Sequence, residues 1–599
     1  MKKRIIAIAL ALMLLVAILP ASALADADIY VSVGNQEFSR FEQTIRVGGG
    51  TATLSTSGEF PALFMTNVNL TQFMNLGADE TGTKYYTGIT YSGSKMLCIY
   101  CENCTITVPK HGDDAVYEGI YAEGAIAVMG NLIIRNADIG IEAASVESNG
   151  VNISISTTSG PALMADRISL AGSCYIESTA LYAVVAGTIG NTGALTINHF
   201  PNCAKYGYGS VITVAADGAA SLENSTVNMT ADFSGYKGSE TLMCSAVASD
   251  SVSVSRGNLV CNMNVKGNSN TIVNGVYAGH LFISGTCGLK CHLNLSGSHM
   301  GAVGIGCEYY NRYKDTFSKG YIESTITGGN ADDIAFYVQN NNKVTASEIY
   351  ASVDYPGAAA IAMNPGSENV YGPDWKTPLN MHTPKDGKFE WIPYSPSDIL
   401  TVVNPDGSFA NTVVLNNKAY AFRDIDSTNV EPYKNAILWA VEKGITNGFT
   451  PVEFRPTADC NRGQVVTFLW RANGSPEPTK TENPFVDVSS SSPYYKAILW
   501  AVEQGITNGF DATHFRPANP CTRAQVVTFL WRAEGKPEVT TDNNPFVDVS
   551  PDGNTKPYYE AILWAVENGI TNGYGGIEFR PSVTCNRGQV VTFINRDMA

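Results

Sequence analysis

Arg462, Arg523 and Arg587 hold the same place in three near-identical stretches, CNRGQVVTFLW, CTRAQVVTFLW and CNRGQVVTFIN. Each arginine follows an Asn or Thr (Asn461, Thr522, Asn586), and a glutamine stands three places after that residue (Gln464, Gln525, Gln589). This spacing is a capping box that opens a helix. The arginine then takes the first helical position, where a cation faces the positive end of the dipole at a cost of about 0.3–1 kcal/mol. A guanidinium converging with free helix N–H groups suits a carboxylate or a phosphate. The same guanidinium suits an internal salt bridge equally well, with Asp424, Asp487 or Asp548 as partner. The preceding cysteines (Cys460, Cys521, Cys585) and the following valines (Val465, Val526, Val590) have the spacing of a hydrophobic staple. That reading makes these thiols apolar packing residues rather than ligands.

Other residues that could do chemistry are weaker candidates. Cys98, Cys101 and Cys104 form C-x2-C-x2-C with no obvious fourth ligand nearby, so buried or locally paired thiols are expected there rather than zinc. His111-Gly112-Asp113-Asp114 and Asp332-Asp333 supply carboxylates. Adjacent Asp residues on a strand point to opposite faces, so solvated turns are the expected home of both pairs. No H-E-x-x-H or G-x-S-x-G motif is present. No cofactor, metal or catalytic residue is therefore assigned.

The elements that must position these groups fall into distinct regions of the 599 residues. Residues 1–25 read as a secretory signal peptide, with a basic start, an apolar run and Ala23-Leu24-Ala25 before the expected cleavage at Asp26. No later apolar run is long enough to span a membrane. The net charge of −16 makes nucleic acid and anionic membranes poor partners. From 26 to 365 the chain is a succession of short alternating runs broken by Gly, Asn and Ser. Residues 119–200 divide into four lines of about 20 residues, too small to bury an apolar face singly but able to do so when stacked. A right-handed parallel β-helix (solenoid) is expected, with an antiparallel sandwich as the competing fold. Cys261 and Cys291 fall at matching points of successive runs and should stack inward. Residues 366–418, rich in proline, read as the solenoid's cap and a linker.

Three helical repeats follow, at 419–476, 482–538 and 543–599, sharing LWAVE-x-GITNG. In the first, Tyr433, Ala436, Ile437, Ala440 and Val441 form an amphipathic stripe. Gly444 sits where a left-handed helix cap is wanted, with Ile445 as its apolar partner. Trp439, Trp500 and Trp564 on that helix are expected in the core rather than on sugar.

These repeats resemble S-layer homology domains. The resemblance rests on Phe485-Val486-Asp487-Val488, Ile506-Thr507-Asn508-Gly509, Phe515-Arg516-Pro517 and Thr522-Arg523-Ala524-Gln525, and covers about a third of the chain. It implies an all-α pseudo-threefold bundle that binds secondary cell-wall polysaccharide on peptidoglycan, often through a pyruvate ketal whose carboxylate suits the helix-start arginine. The implied binding residues are Arg462, Arg523, Arg587, Asp424, Asp487, Asp548, Asn447, Asn508 and Asn572. The family's motif glutamate is glutamine here, and asparagine stands where an arginine is frequent in the I-T-x-G turn. In the third repeat, Ile594-Asn595-Arg596 replaces Leu-Trp-Arg. The resulting expectation is a protein of the Gram-positive cell surface, anchored by the triplet and displaying a non-catalytic β-solenoid as S-layer component, adhesin or glycan binder. The alternatives are a wall-tethered polysaccharide lyase or glycoside hydrolase, and a lattice built by self-association.

Overall fold

The structure, a computed structural model, describes residues 29–598 apart from short internal stretches such as 110–114, 202–207, 308–314, 364–369, 372–378 and 393–398. The signal segment and His111, Asp113 and Asp114 lie outside the described residues. The chain divides into two compact units between Lys418 and Ala419.

The first unit is built of strands, and its long ladders are parallel. One column runs from Ile89 through Ile120, Ile141, Leu163, Val184, Ile212, Val247, Val276, Ile305 and Phe336 to Ile361, each residue in register with the next. All are at most 2% exposed. Burying each such side chain contributes about 1.5–3 kcal/mol. The residue before each one is small in nearly every case: Gly88, Gly119, Gly140, Ala162, Ala183, Ala246, Gly275, Gly304, Ala335 and Ala360, with Val211 the exception. The reason is steric. A Cβ on Gly119 would lie 2.6 Å from the Gly140 carbonyl oxygen and 2.7 Å from Ile134 Cγ2. The G-I-Y and G-V-Y echoes at Gly119 and Gly275 thus sit at equivalent positions of this parallel column. Cys261 and Cys291 are directly paired, fully buried, and their thiols are pushed far above the usual range by burial, Cys291 to about 12.

Antiparallel strands close both ends of this stack. Tyr30–Val33 pairs antiparallel with Lys84–Ser92, and Gly50–Ser57 with Phe60–Thr66, which also pairs parallel with Leu97–Thr107, so antiparallel and parallel pairing meet on that strand. At the other end Ile399–Val403 lies on Ile361–Met363 and Thr412–Asn416 on Glu348–Val353, both antiparallel. Such caps protect open sheet edges from pairing with other chains.

The two candidate aspartates at the turn part company. Asp332 is exposed, as a solvated turn requires, but Asp333 is fully buried. Its carboxylate lies 2.8 Å from His299 Nε2 and accepts N–H bonds from Ala302 and Asn330 at 2.8 Å each. It ties two segments some thirty residues apart and is closed to solvent. Cys98, Cys101 and Cys104 lie on strand Leu97–Thr107, and Cys104 Sγ donates to the Met65 carbonyl at 3.4 Å. The described cysteines are free thiols, and no group of three metal-ligating side chains occurs among the described residues.

Glu118 is a strongly perturbed carboxyl of this unit. It is 4% exposed, its Oε2 has no hydrogen-bond partner among the described residues, and burial followed by the Glu142 charge raises its pKa from 4.5 to about 8. The folded state therefore holds a proton that the unfolded chain releases, so this group costs stability as pH rises from about 4.5 to 8 and is neutral below that window. Glu118→Gln should remove that slope and stabilise the unit at pH 8 by on the order of a few kcal/mol. Thermal melts of both proteins at pH 5 and pH 8 check this; equal pH slopes would contradict it.

The second unit is helical. Each repeat has a first helix (Glu431–Glu442, Tyr495–Glu503, Tyr559–Glu567) and a second that starts on the arginine (Arg462–Ala472, Arg523–Ala533, Arg587–Asp597). The first helices end alike. Gly444, Gly505 and Gly569 have φ of 70°, 70° and 68°. Each donates to the carbonyl three residues back, and the following isoleucine donates to the carbonyl five back, which is a Schellman cap. Ala436, Ile437 and Ala440 face the core as expected, while Val441 is exposed. Trp500 and Trp564 are buried and Trp439 is partly buried against the same core. Each second helix packs on the first helix of the next repeat, and the third packs back on the first, closing the ring.

Candidate functional site

The three repeats meet at junctions organised by the arginine helices. All three capping boxes are complete, with Asn461, Thr522 and Asn586 each accepting from the backbone of its glutamine. The staple cysteines are fully buried. Their backbones also form a ring: Cys460 N–H donates to the Cys585 carbonyl, Cys521 to Cys460, and Cys585 to Cys521, at 2.9, 2.9 and 3.0 Å. Burial raises all three thiols, Cys460 and Cys585 to about 12, so these are unreactive packing groups.

The helix starts hold no open donors, contrary to the expectation of a ready-made anion site. Arg462 N–H donates to the Asn519 carbonyl and Gly463 N–H to the Pro517 carbonyl, both in the next repeat. Arg523 and Ala524 do the same to Val583 and Pro581, and Arg587 and Gly588 to Ala458 and Pro456. The remaining N-terminal donor goes to the cap residue.

The arginine side chains are buried too, each 3% exposed. Each enters the next repeat. Arg462 Nε donates to the Phe515 carbonyl at 2.9 Å, Arg523 Nε to Phe579 at 2.9 Å and Arg587 Nε to Phe454 at 2.8 Å. The guanidinium lies against aromatic rings of that repeat: Phe515 and Phe529 for Arg462, Tyr574, Phe579 and Phe593 for Arg523, and Phe449, Phe454 and Phe468 for Arg587, at 4.7–5.8 Å from the centroids. Cation–π attraction in a desolvated site offsets the dipole cost. Burial still lowers the pKa of Arg462 and Arg587. The junctions are not identical. Arg523 Nη2 donates to Thr571 Oγ1 at 3.3 Å, whereas Nη2 of Arg462 and of Arg587 is buried without a hydrogen bond among the described residues.

The salt-bridge expectation is corrected as well. No ion pair joins these arginines to Asp424, Asp487 or Asp548 among the described residues. The aspartates instead grip the other side of the same peptide. Asp487 accepts from Phe515 and Arg516 N–H at 2.9 and 2.7 Å, Asp424 from Phe454 and Arg455 at 2.9 and 2.6 Å, and Asp548 from Phe579 and Arg580 at 2.8 and 2.7 Å. Aspartate holds the N–H of the phenylalanine and the neighbouring arginine holds its C=O.

That double grip supports a backbone that would otherwise be strained. Arg455, Arg516 and Arg580 have φ of 56°, 58° and 59°, a left-handed conformation that costs a side-chain-bearing residue about 1–2 kcal/mol. Their guanidinium groups lie on the surface over Phe449, Phe510 and Tyr574, at 3.9, 3.7 and 4.4 Å from the centroids. Glu453 pairs with Arg455 and Glu578 with Arg580, while His514 takes that place beside Arg516. Asn447, Asn508 and Asn572 are exposed in the turn just before these rings. Arg455, Arg516 and Arg580 were not among the expected binding residues; the recurrence of F-R-P in all three repeats was the available signal.

Comparison with known proteins agrees with this architecture. The S-layer homology domain profile matches residues 422–466, 484–527 and 551–591. The chain is 30% identical over 144 residues to a surface-layer 125 kDa protein of Lysinibacillus sphaericus, covering 23% of this chain and 12% of that protein. It is 30% identical over 117 residues to a cell surface protein of Thermoanaerobacter kivui, covering 19% and 15%. It is 33% identical over 113 residues to an endoglucanase of Bacillus sp. (strain KSM-635), covering 19% and 11%. Each alignment thus spans less than a sixth of the relative's length. No helix among the described residues is long and apolar enough to cross a membrane. The second unit of this chain consists of three S-layer homology domains.

Proposed function

We propose that this is an exported bacterial surface protein, held non-covalently on secondary cell-wall polysaccharide of a Gram-positive wall by its three S-layer homology domains. The strand-rich unit is a right-handed parallel β-solenoid displayed as a non-catalytic surface module. The observation that carries the anchoring reading is the surface arginine of each junction, laid on an aromatic ring beside an exposed asparagine. A guanidinium over a ring offers a carboxylate two parallel N–H donors and offers a sugar an apolar face. A pyruvylated glycan presents both. In this reading Arg462, Arg523 and Arg587 organise the junctions from beneath, with Asp424, Asp487 and Asp548. Arg455, Arg516 and Arg580, with Asn447, Asn508 and Asn572, make the contact.

Co-sedimentation of the whole chain with purified walls, before and after the secondary polymer is stripped, tests this. Binding is expected only to unstripped walls. Equal binding to both preparations would sink the proposal, and self-assembly of the chain without walls would move the repeats to a lattice-forming role. Release of reducing sugar from a polysaccharide would instead favour the lyase or hydrolase alternative.

A further inference from the structure

We propose that the strand-rich unit carries a binding groove for a neutral oligosaccharide, centred on Tyr175. This does not rest on the anchoring role of the second unit. A groove of about 600 Å³ lies on the unit's outer surface, lined by Asn103, Asn131, Asn152, Ser154, Tyr175 and Thr196 among others. None of its lining residues carries a formal charge, so nothing in it selects an anion or a cation. What it offers is amides, hydroxyls and one exposed ring.

The arrangement comes from the ladder. Asn103, Asn131 and Asn152 precede Cys104, Leu132 and Ile153, which stack on one another in register, so the amides stand on successive strands with their side chains exposed. Neighbouring strands are about 4.8 Å apart. Asn152 Nδ2 donates to Asn131 Oδ1 at 3.3 Å. Each amide has two donor hydrogens and an acceptor with two lone pairs, so the pair retains donors and an acceptor for a ligand. Adjacent hydroxyls of a pyranose, each both donor and acceptor, complement such a pair.

Tyr175 supplies the second element. Tyr175 is 40% exposed. The ring is held in place by its hydroxyl, which accepts from Asn198 Nδ2 at 3.0 Å and donates to Glu177 Oε2 at 3.3 Å. A fixed exposed ring loses little entropy on binding and gives the C–H face of a sugar a flat apolar partner. Asn198 is followed along the same row by Asn228 and Asn262, bonded amide to amide at 2.9 Å each. A glycan chain leaving the groove along the stack would meet further amides at rung spacing.

Isothermal titration of the whole chain with cellohexaose, xylohexaose, mannohexaose and chitohexaose tests the proposal. At least one should bind in the millimolar range or tighter. Tyr175→Ala and Asn152→Ala should each weaken it by about tenfold with an unchanged melting temperature, while Tyr175→Phe, which keeps the ring but loses the bonds that fix it, should weaken it less than Tyr175→Ala. The Arg455→Ala, Arg516→Ala, Arg580→Ala variant should bind the oligosaccharide normally, which separates this site from the wall anchor. No binding of any of the four sugars, binding unaffected by both groove variants, or a preference for an oligogalacturonate would overturn it.

Discussion

Arg587→Ala is expected to lower the melting temperature of the C-terminal unit by about 6–20 °C. The estimate follows from what the residue does. Its Nε satisfies the Phe454 carbonyl, and its guanidinium fills the space between Phe454 and Phe468. Truncation leaves a buried carbonyl unpaired and a cavity beneath two rings, a loss of about 3–5 kcal/mol by analogy with broken buried polar contacts and large-to-small core changes. At about 2–4 °C per kcal/mol for a unit of this size, the shift is large. Arg587 joins the third repeat to the first, so its loss weakens the ring-closing junction, which the backbone bonds of Cys460, Arg587 and Gly588 still hold. Arg587→Lys should recover little, since an ammonium cannot reproduce the planar stacking and the directed Nε bond. Scanning calorimetry of the whole chain would follow the transition. A change within about 2 °C would mean that the buried arginine is not what holds the junction. Arg516→Ala, by contrast, removes a surface group and should shift stability by no more than about 1 kcal/mol.

The surface arginines carry the opposite signature. Changing Arg455, Arg516 and Arg580 together to alanine should leave the melting temperature nearly unchanged and reduce wall binding by about 10²–10⁴-fold. Three linked sites multiply their individual affinities through effective concentration, and losing all three removes that gain. A charge-assisted bond lost at one site costs about 1.5–3 kcal/mol, so Arg516→Ala alone should weaken binding about tenfold or more. Alanine tolerates the left-handed backbone no worse than arginine does, because the strain comes from the Cβ that both possess. Binding curves on purified walls at low and moderate salt measure the effect, and the wild-type curve should weaken with salt as exposed charges are screened. If the triple variant binds as tightly as the wild type, the contact surface lies elsewhere on the repeats. If it fails while Arg587→Ala still binds below its melting temperature, the division between organising and contacting arginines holds.

Some features were legible in the sequence because they are local. The capping boxes join residues three apart, the staple pairs Cys460 with Val465, and the Schellman cap needs only Gly444 and its neighbours. Each is decided within one helical turn, so its residues are adjacent in the text. The match of Cys261 to Cys291 was also readable, since similar runs paired in parallel bring equivalent positions into register. The glutamine at the family's glutamate position left the boxes intact, because either side chain can accept the cap N–H.

Other features were decided only by tertiary structure. Asp333 looked like a turn residue, yet a histidine 34 positions away folds onto it and makes it a buried tie. The helix-start arginines looked like ligand-binding groups, since a capping box and a nearby aspartate suggest either an open anion site or a salt bridge. Their true partners are carbonyls 53, 56 and 133 positions away in the next repeat. No local pattern encodes such contacts, because they exist only once three repeats close into a ring. Sequence alone determined that there are three repeats and where the second helix of each begins. Ring closure decided that the conspicuous arginines are buried inside, and that the arginines of F-R-P, turned into a left-handed backbone by an aspartate on one side and a neighbour's guanidinium on the other, face the solvent.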